Sequence, residues 1–219
     1  MKAIVALFVV LVAASPLNAI EVPATGSGAL AKEFQSFVDL VPVEKVAAVT
    51  RAYLAQDKEF QTGLKIVRGS EVKQWIQDIE QASEFKMLVN YMQNHGLDIV
   101  AMLKAFNKAI GIPPLFSVIR AYLAPQVQIT GGLQGYMQDI LAILPSDEIL
   151  KIYEDKMEHS EVFKDFVYEI ISSKYLTFYQ LIFKNKHYQI AEDEAAKAGI
   201  DRYIFQISSQ ILLEVSAFM

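Results

Sequence analysis

The chain has 219 residues, a formal charge of −5 and no cysteine. A chain of this length buries roughly 70% of its extended surface, as one compact domain or two small lobes. The lack of cysteine excludes a disulfide framework, a thiol nucleophile and a thiolate metal site. The acidic balance argues against nucleic acid as a partner, where a basic stripe supplies most of the affinity, and against attraction to anionic lipid by charge.

Lys2 precedes an uncharged apolar run from Ala3 to Ala14, and Leu17-Asn18-Ala19 ends on a small residue. This pattern predicts a signal peptide over 1–19, cleaved after Ala19; the run is shorter than the about 20 apolar residues a membrane span needs. Residues 20–27 read as an N-terminal linker. Beyond them helical periodicity is nearly continuous. It predicts helices over 29–41, 43–56, 58–68, 70–81, 83–94, 97–110, 114–124, 132–144, 146–158, 160–172, 174–185, 187–198 and 200–217. Pro42 and Pro145 each begin a helix, with Glu44 and Asp147 in the first turn, where the helix dipole favours acids. Ser70 and Ser146 are N-cap candidates. Gly96 and Gly199 are expected to close helices with positive φ. Pro113-Pro114, Pro125 and Gly131-Gly132 bracket a central junction.

A shift of 103 residues lays the chain on itself without a gap: Pro42 falls on Pro145, Phe60 on Phe163, Ile79 on Ile182 and Gly96-Leu97-Asp98 on Gly199-Ile200-Asp201. Apolar positions keep step between these identities, with Trp75 on Phe178 and Leu40-Val41-Pro42 on Ile143-Leu144-Pro145. The pattern predicts a duplicated unit, with helical repeat 1 over 28–125 and helical repeat 2 over 126–219, together forming one enclosing body. Apolar content is 53%, above the usual 45–50%. The segments 97–110 and 200–217 are apolar well beyond the stripe of little more than about 100° that a surface helix needs. Short helices enclose space better than they fill it, so the expectation is an all-α shell around an apolar cavity. Helical phase nominates Trp75, Ile76, Ile79, Met102, Phe106, Phe178, Ile182, Ile204, Phe205 and Ile211 as its lining. For any one aromatic taken alone, ordinary core is the better reading.

The catalytic inventory is thin. His95 precedes Gly96 at an expected helix C-terminus, where an imidazole suits the last carbonyls. His159 lies in a polar helix junction, and the spacing around His187 matches no known metal pattern. Gly26-Ser27-Gly28-Ala29-Leu30-Ala31 fits the letters of a dinucleotide fingerprint, but no strand precedes it and it reads as linker. Neither a nucleophile elbow nor a Walker loop occurs. Glu80, Glu84, Glu154, Asp155, Glu158 and Glu192 to Glu194 read as solvated helix faces. No metal site, no cofactor and no enzymatic activity are expected.

The stretch Phe34–Val49 with Leu40-Val41-Pro42, its echo Ile143-Leu144-Pro145, and the turns at Gly96 and Gly199 resemble the insect allergen-related repeat family. That family includes the cockroach group 1 midgut allergens and the mosquito blood-meal-induced midgut proteins. The resemblance implies a capsule of amphipathic helices around a large apolar cavity that carries fatty acids and phospholipids. It also implies secretion to the gut lumen or microvillar surface, lipid partners and transient contact with membranes, with membrane lysis at high dose. Two other readings stay open: a structural or interaction protein of the gut surface, and a detoxification factor like the lepidopteran nitrile specifiers.

Overall fold

The computed structural model describes residues 21–111 and 127–201. The expected leader, the helix over 114–124 and most of that over 200–217 lie outside the described residues.

Eleven α-helices and one 3₁₀ turn make up the described chain, so the architecture is all-α, as the periodicity predicts. In chain order they are α1 (Ala29–Val38), α2 (Val43–Gln56), α3 (Lys58–Val67), α4 (Ser70–Gln81), α5 (Ser83–Asn94) and α6 (Ile99–Gly111). After the central junction come α7 (Gly132–Ile143), α8 (Ser146–His159), α9 (Glu161–Ile170), the 3₁₀ turn Ser173–Tyr175, α10 (Leu176–Lys184) and α11 (Lys186–Lys197). Shifted by 103, the bounds of α2, α3 and α5 coincide with those of α8, α9 and α11. The counterpart of α4 is broken: its first turn is the 3₁₀ turn, and α10 is the remainder.

The helix ends follow local chemistry. Pro42 and Pro145 occupy the N-cap positions of α2 and α8 with the same backbone angles, φ −76° and ψ 75°. Asp57 accepts the Phe60 N–H at 2.7 Å and its counterpart Ser160 accepts the Phe163 N–H at 3.2 Å, so one cap serves α3 and α9 in two chemistries. Asn185 caps α11 through the N–H groups of His187 and Tyr188. Ser70 and Ser146 do not cap. Each is the first helical residue, behind Gly69 and Pro145, and neither helix has a side-chain cap. A capping oxygen must project from the non-helical residue before the first turn, and in both places another residue holds it. The helices expected over 29–41 and 160–172 also end early, at Val38 and Ile170.

The first helix of each half packs on the other half. α1 lies against α8 and α9, and α7 lies against α2 and α3. At the α1 seam Phe34 meets Phe166 edge-on at 5.1 Å and Phe37 stacks on Phe163 at 5.6 Å. At the α7 seam Tyr136 meets Tyr53 at 5.2 Å and Phe60 at 4.6 Å. Shifted by 103, Tyr53 corresponds to Lys156 and Glu33 to Tyr136. The tyrosine pair of one seam is therefore an ion pair, Lys156 with Glu33, in the other. Ser160 donates a further hydrogen bond to Glu33 at 2.9 Å.

The α7 seam is the more polar of the two. Asp139 accepts the Tyr53 hydroxyl at 2.6 Å and both the N–H and hydroxyl of Thr130. The carboxylates of Asp57 and Glu59 accept the N–H groups of Gly132 and Leu133 at 2.7 and 2.9 Å. These N–H groups have no partner within their own helix, so the first half supplies the acceptors that start the second. Burial, and then the bond to Asp139, pushes the Tyr53 phenol up to about 12.

Candidate functional site

Between α3, α4 and α11 lies a partly open apolar cavity of about 540 Å³, inside the roughly 300–1,000 Å³ range of small-molecule pockets. One stripe of α4 builds its longest wall: Val72, Trp75, Ile76 and Ile79 follow the i, i+3, i+4, i+7 spacing of one helical face. Gly63, Leu64, Ile66 and Val67 of α3 face them. Tyr188, Ala191 and Ala195 of α11 repeat the helical spacing, and the two alanines project little into the space. Phe85, Leu103, Leu133, Phe183 and Ile200 complete the apolar wall. Glu80 and its hydrogen-bond partner Asn107, 2.9 Å apart, are its ionic and amide side chains.

Polar contacts hold α4 against the α10–α11 junction. The Trp75 indole N–H donates to the Ile182 carbonyl at 3.0 Å. Asn185 donates to Asp78 at 2.8 Å, and His187 Nδ1 lies 2.7 Å from Glu71 Oε2. The amide bonds of Asn185 and Gln74 hold the Asp78 carboxyl below its usual range. The Trp75 ring lies 5.1 Å from that of Tyr188, which meets Phe183 at 5.5 Å. Burial, and then Glu192, raises the Tyr188 phenol to about 12.

Trp75, Ile76 and Ile79 line the cavity. Met102 and Phe178 do not line it: both are buried in the surrounding core, with Phe178 6.2 Å from Phe85. Ile182 is half-buried and meets the site through its backbone carbonyl. The side chain of Phe106, on α6, and the residues Ile204, Phe205 and Ile211 lie outside the described residues. Sequence reasoning missed the α3 and α11 walls. The α11 segment is rich in charge, and its apolar stripe rests on alanines that carry little periodic signal.

Among the described residues no cluster of three histidines or acids is placed to hold a metal ion, and no helix is long and apolar enough to cross a membrane. His95 bonds the Tyr91 carbonyl at 2.7 Å and stacks on the Tyr91 ring, closing α5. His159 bonds the Asp155 carbonyl at the exposed end of α8.

The molecule is thus an all-α protein with an apolar chamber walled by both halves of its chain. Residues 29–204 match the family described as insect allergen related repeat, nitrile-specifier detoxification, and the chain belongs to that family. It is similar to Protein G12 of the mosquito Anopheles gambiae, 32% identical over 138 residues. That match covers 62% of this chain and 64% of the mosquito protein.

Proposed function

We propose that this protein is a secreted, non-enzymatic lipid carrier of the insect gut that holds fatty acids or phospholipids in its apolar cavity and exchanges them with membranes. The observation that carries the reading is the wall itself, built of aliphatic and aromatic side chains from both halves. A water molecule takes about 30 Å³ of liquid and a methylene group is of similar size, so the space holds on the order of 18 such groups, one long acyl chain. Each methylene withdrawn from water gains roughly 0.8 kcal/mol. A free fatty acid loads strongly on that scale even after ordering costs. A chain drawn from a bilayer leaves one hydrocarbon medium for another, so its balance lies near zero and transfer runs in either direction. The family resemblance supports the gut lumen or microvillar surface as the place of action, and damage to cell membranes at high dose as a consequence of the same exchange.

Trp75 is the single tryptophan of the chain and stands on the cavity wall, so occupancy has an intrinsic reporter. Protein purified without detergent or denaturant is expected to release fatty acids or phospholipids into organic solvent at near-stoichiometric yield. After delipidation, a fatty acid brominated in mid-chain is expected to quench Trp75 emission saturably. A clean extract together with unquenched Trp75 would sink the carrier reading in favour of a gut-surface interaction protein. The family's association with nitrile-specifier detoxification supports that role as a second reading; its test is nitrile formation from glucosinolate breakdown.

A further inference from the structure

A second space of about 320 Å³ adjoins the apolar cavity, lined by Glu80, Phe85, Lys86, Val89, Asn90, Val100, Leu103, Lys104 and Asn107. Four of these residues, Glu80, Phe85, Leu103 and Asn107, line both spaces. The two spaces therefore meet along a shared wall and differ in chemistry from one end to the other. One end is almost wholly apolar. The other, between α5 and α6, carries two ammonium groups and an amide that the apolar end lacks.

We infer that the α5–α6 cleft holds the anionic head of a single-chain amphiphile, with Lys86 and Lys104 facing the head and the tail lying along Trp75 in the apolar cavity. The inference rests on the carrier reading and adds to it a polarity: which end of the cargo goes where, and what charge the head bears. Three features carry it. The division of polar from apolar lining between the two adjoining spaces matches the division within an amphiphile. The charged groups of the cleft are Lys86, Lys104 and Glu80, a net positive balance in a chain whose overall charge is −5. Glu80, the one opposing charge, sits at the boundary between the two spaces with its carboxylate bonded to the Asn107 amide at 2.9 Å. An anionic head placed beyond that boundary meets the lysines, whereas one drawn into the apolar cavity would lose its hydration without compensation. Lys86 and Lys104 are exposed, so a head held there keeps part of its water and enters or leaves without the large penalty of burying an ion.

The shared chemistry is one acyl tail with an anionic head, which a free fatty acid or a lysophospholipid supplies. The test titrates delipidated full-length protein, followed by Trp75 emission, with three ligands of one tail: oleate, oleoyl lysophosphatidate and neutral oleyl alcohol. At about pH 8 the fatty carboxyl is ionised. The wild-type protein is expected to bind at least one anion more tightly than the alcohol, and the preferred anion identifies the source. That preference is expected to shrink as salt rises, since exposed charges are screened beyond about 8–10 Å. Reversing both lysines, Lys86→Glu with Lys104→Glu, is expected to weaken the anions by about tenfold or more on the scale of partly exposed charges. Alcohol affinity is expected to stay within about twofold, because the tail contacts are untouched. The alcohol also serves as the folding control, since an unfolded variant would lose it as well; in that case the milder Lys86→Gln with Lys104→Gln replaces the reversal. Equal loss of anion and alcohol in that milder variant, or an anion-to-alcohol ratio the same in wild type and variant, overturns the head-group site and leaves the carrier reading standing. Failure of all three ligands to perturb Trp75 in the wild type removes both.

Discussion

Gly96 and Gly199 occupy matching turns, yet the structure assigns them different burdens. Both have positive φ, 94° and 85°, a region that costs an ordinary L-residue roughly 1–2 kcal/mol. At Gly96 a methyl group would also lie 2.6 Å from the backbone nitrogen of Ala29, because α1 starts against this turn, with the Leu30 N–H bonded to the His95 carbonyl at 2.9 Å. At Gly199 nothing described stands within 4 Å. Gly199→Ala is therefore expected to cost about 1 kcal/mol and Gly96→Ala clearly more, by urea unfolding. Equal losses would contradict the close approach. Tyr53 supplies a second test. Its folded value of about 12 stands above the ordinary value of about 10 for the unfolded chain. The stability it lends is whole below about pH 10 and is lost as pH rises through about 12. Thermal melts are expected to fall above about pH 10, less steeply in Tyr53→Phe, while that variant is less stable at neutral pH by about 1–2 kcal/mol for the hydroxyl it lacks. A wild-type melting temperature level through pH 11 would count against this assignment.

Among the elements, what the sequence disclosed depended on how local the cause was. The bounds of α2, α4 and α5 agree with the periodicity to the residue, since Pro42, the apolar stripe and the Gly96 turn each act within a few residues. The caps were harder. Serine at a helix start suggests capping, but whether it stands at the last non-helical position or one residue later turns on a single backbone angle. Ser160→Ala is accordingly expected to cost about 1 kcal/mol of stability, and Ser146→Ala close to nothing. A thermal or urea comparison of the two variants checks this, and equal effects would refute it. The lining followed the same rule. The α4 stripe through Trp75, Ile76 and Ile79 is written in its spacing, whereas the contribution of Ala191 and Ala195 depends on α11 docking against α4, which no local pattern records. The 3₁₀ turn Ser173–Tyr175 was likewise invisible, because the apolar content of its segment resembles that of an unbroken helix.

Over the whole molecule, the exchange of first helices decides how stability is distributed. Leu30, Phe34 and Phe37 are buried, and α1, which carries them, lies on α8 and α9. A chain cut within the central junction therefore strands the apolar face of α1 on one fragment and its receiving surface on the other. Fragments 21–126 and 127–219 are each expected to lack cooperative unfolding alone and to recover helical circular dichroism and a cooperative melt when mixed. Two independently melting fragments would show that the seams matter less than their packing implies. The cavity shares this dependence, since Leu133 and Tyr188 of the second half line it together with Leu64 and Trp75 of the first, so a fragment that folded alone would still lack part of the wall.

The same exchange constrains the history of the chain. A solitary half has one helix in search of a surface and one surface in search of a helix, and the two cannot satisfy each other if the geometry seen here is kept. Two identical copies can, each lending its first helix to the other about a twofold axis, which is the isologous arrangement in which single-chain proteins most often pair. A chain made by duplication of such a unit would keep this dimer arrangement within one polypeptide. Joined in one chain, two equivalent seams need not stay identical, and here a tyrosine pair in one stands where an ion pair holds the other.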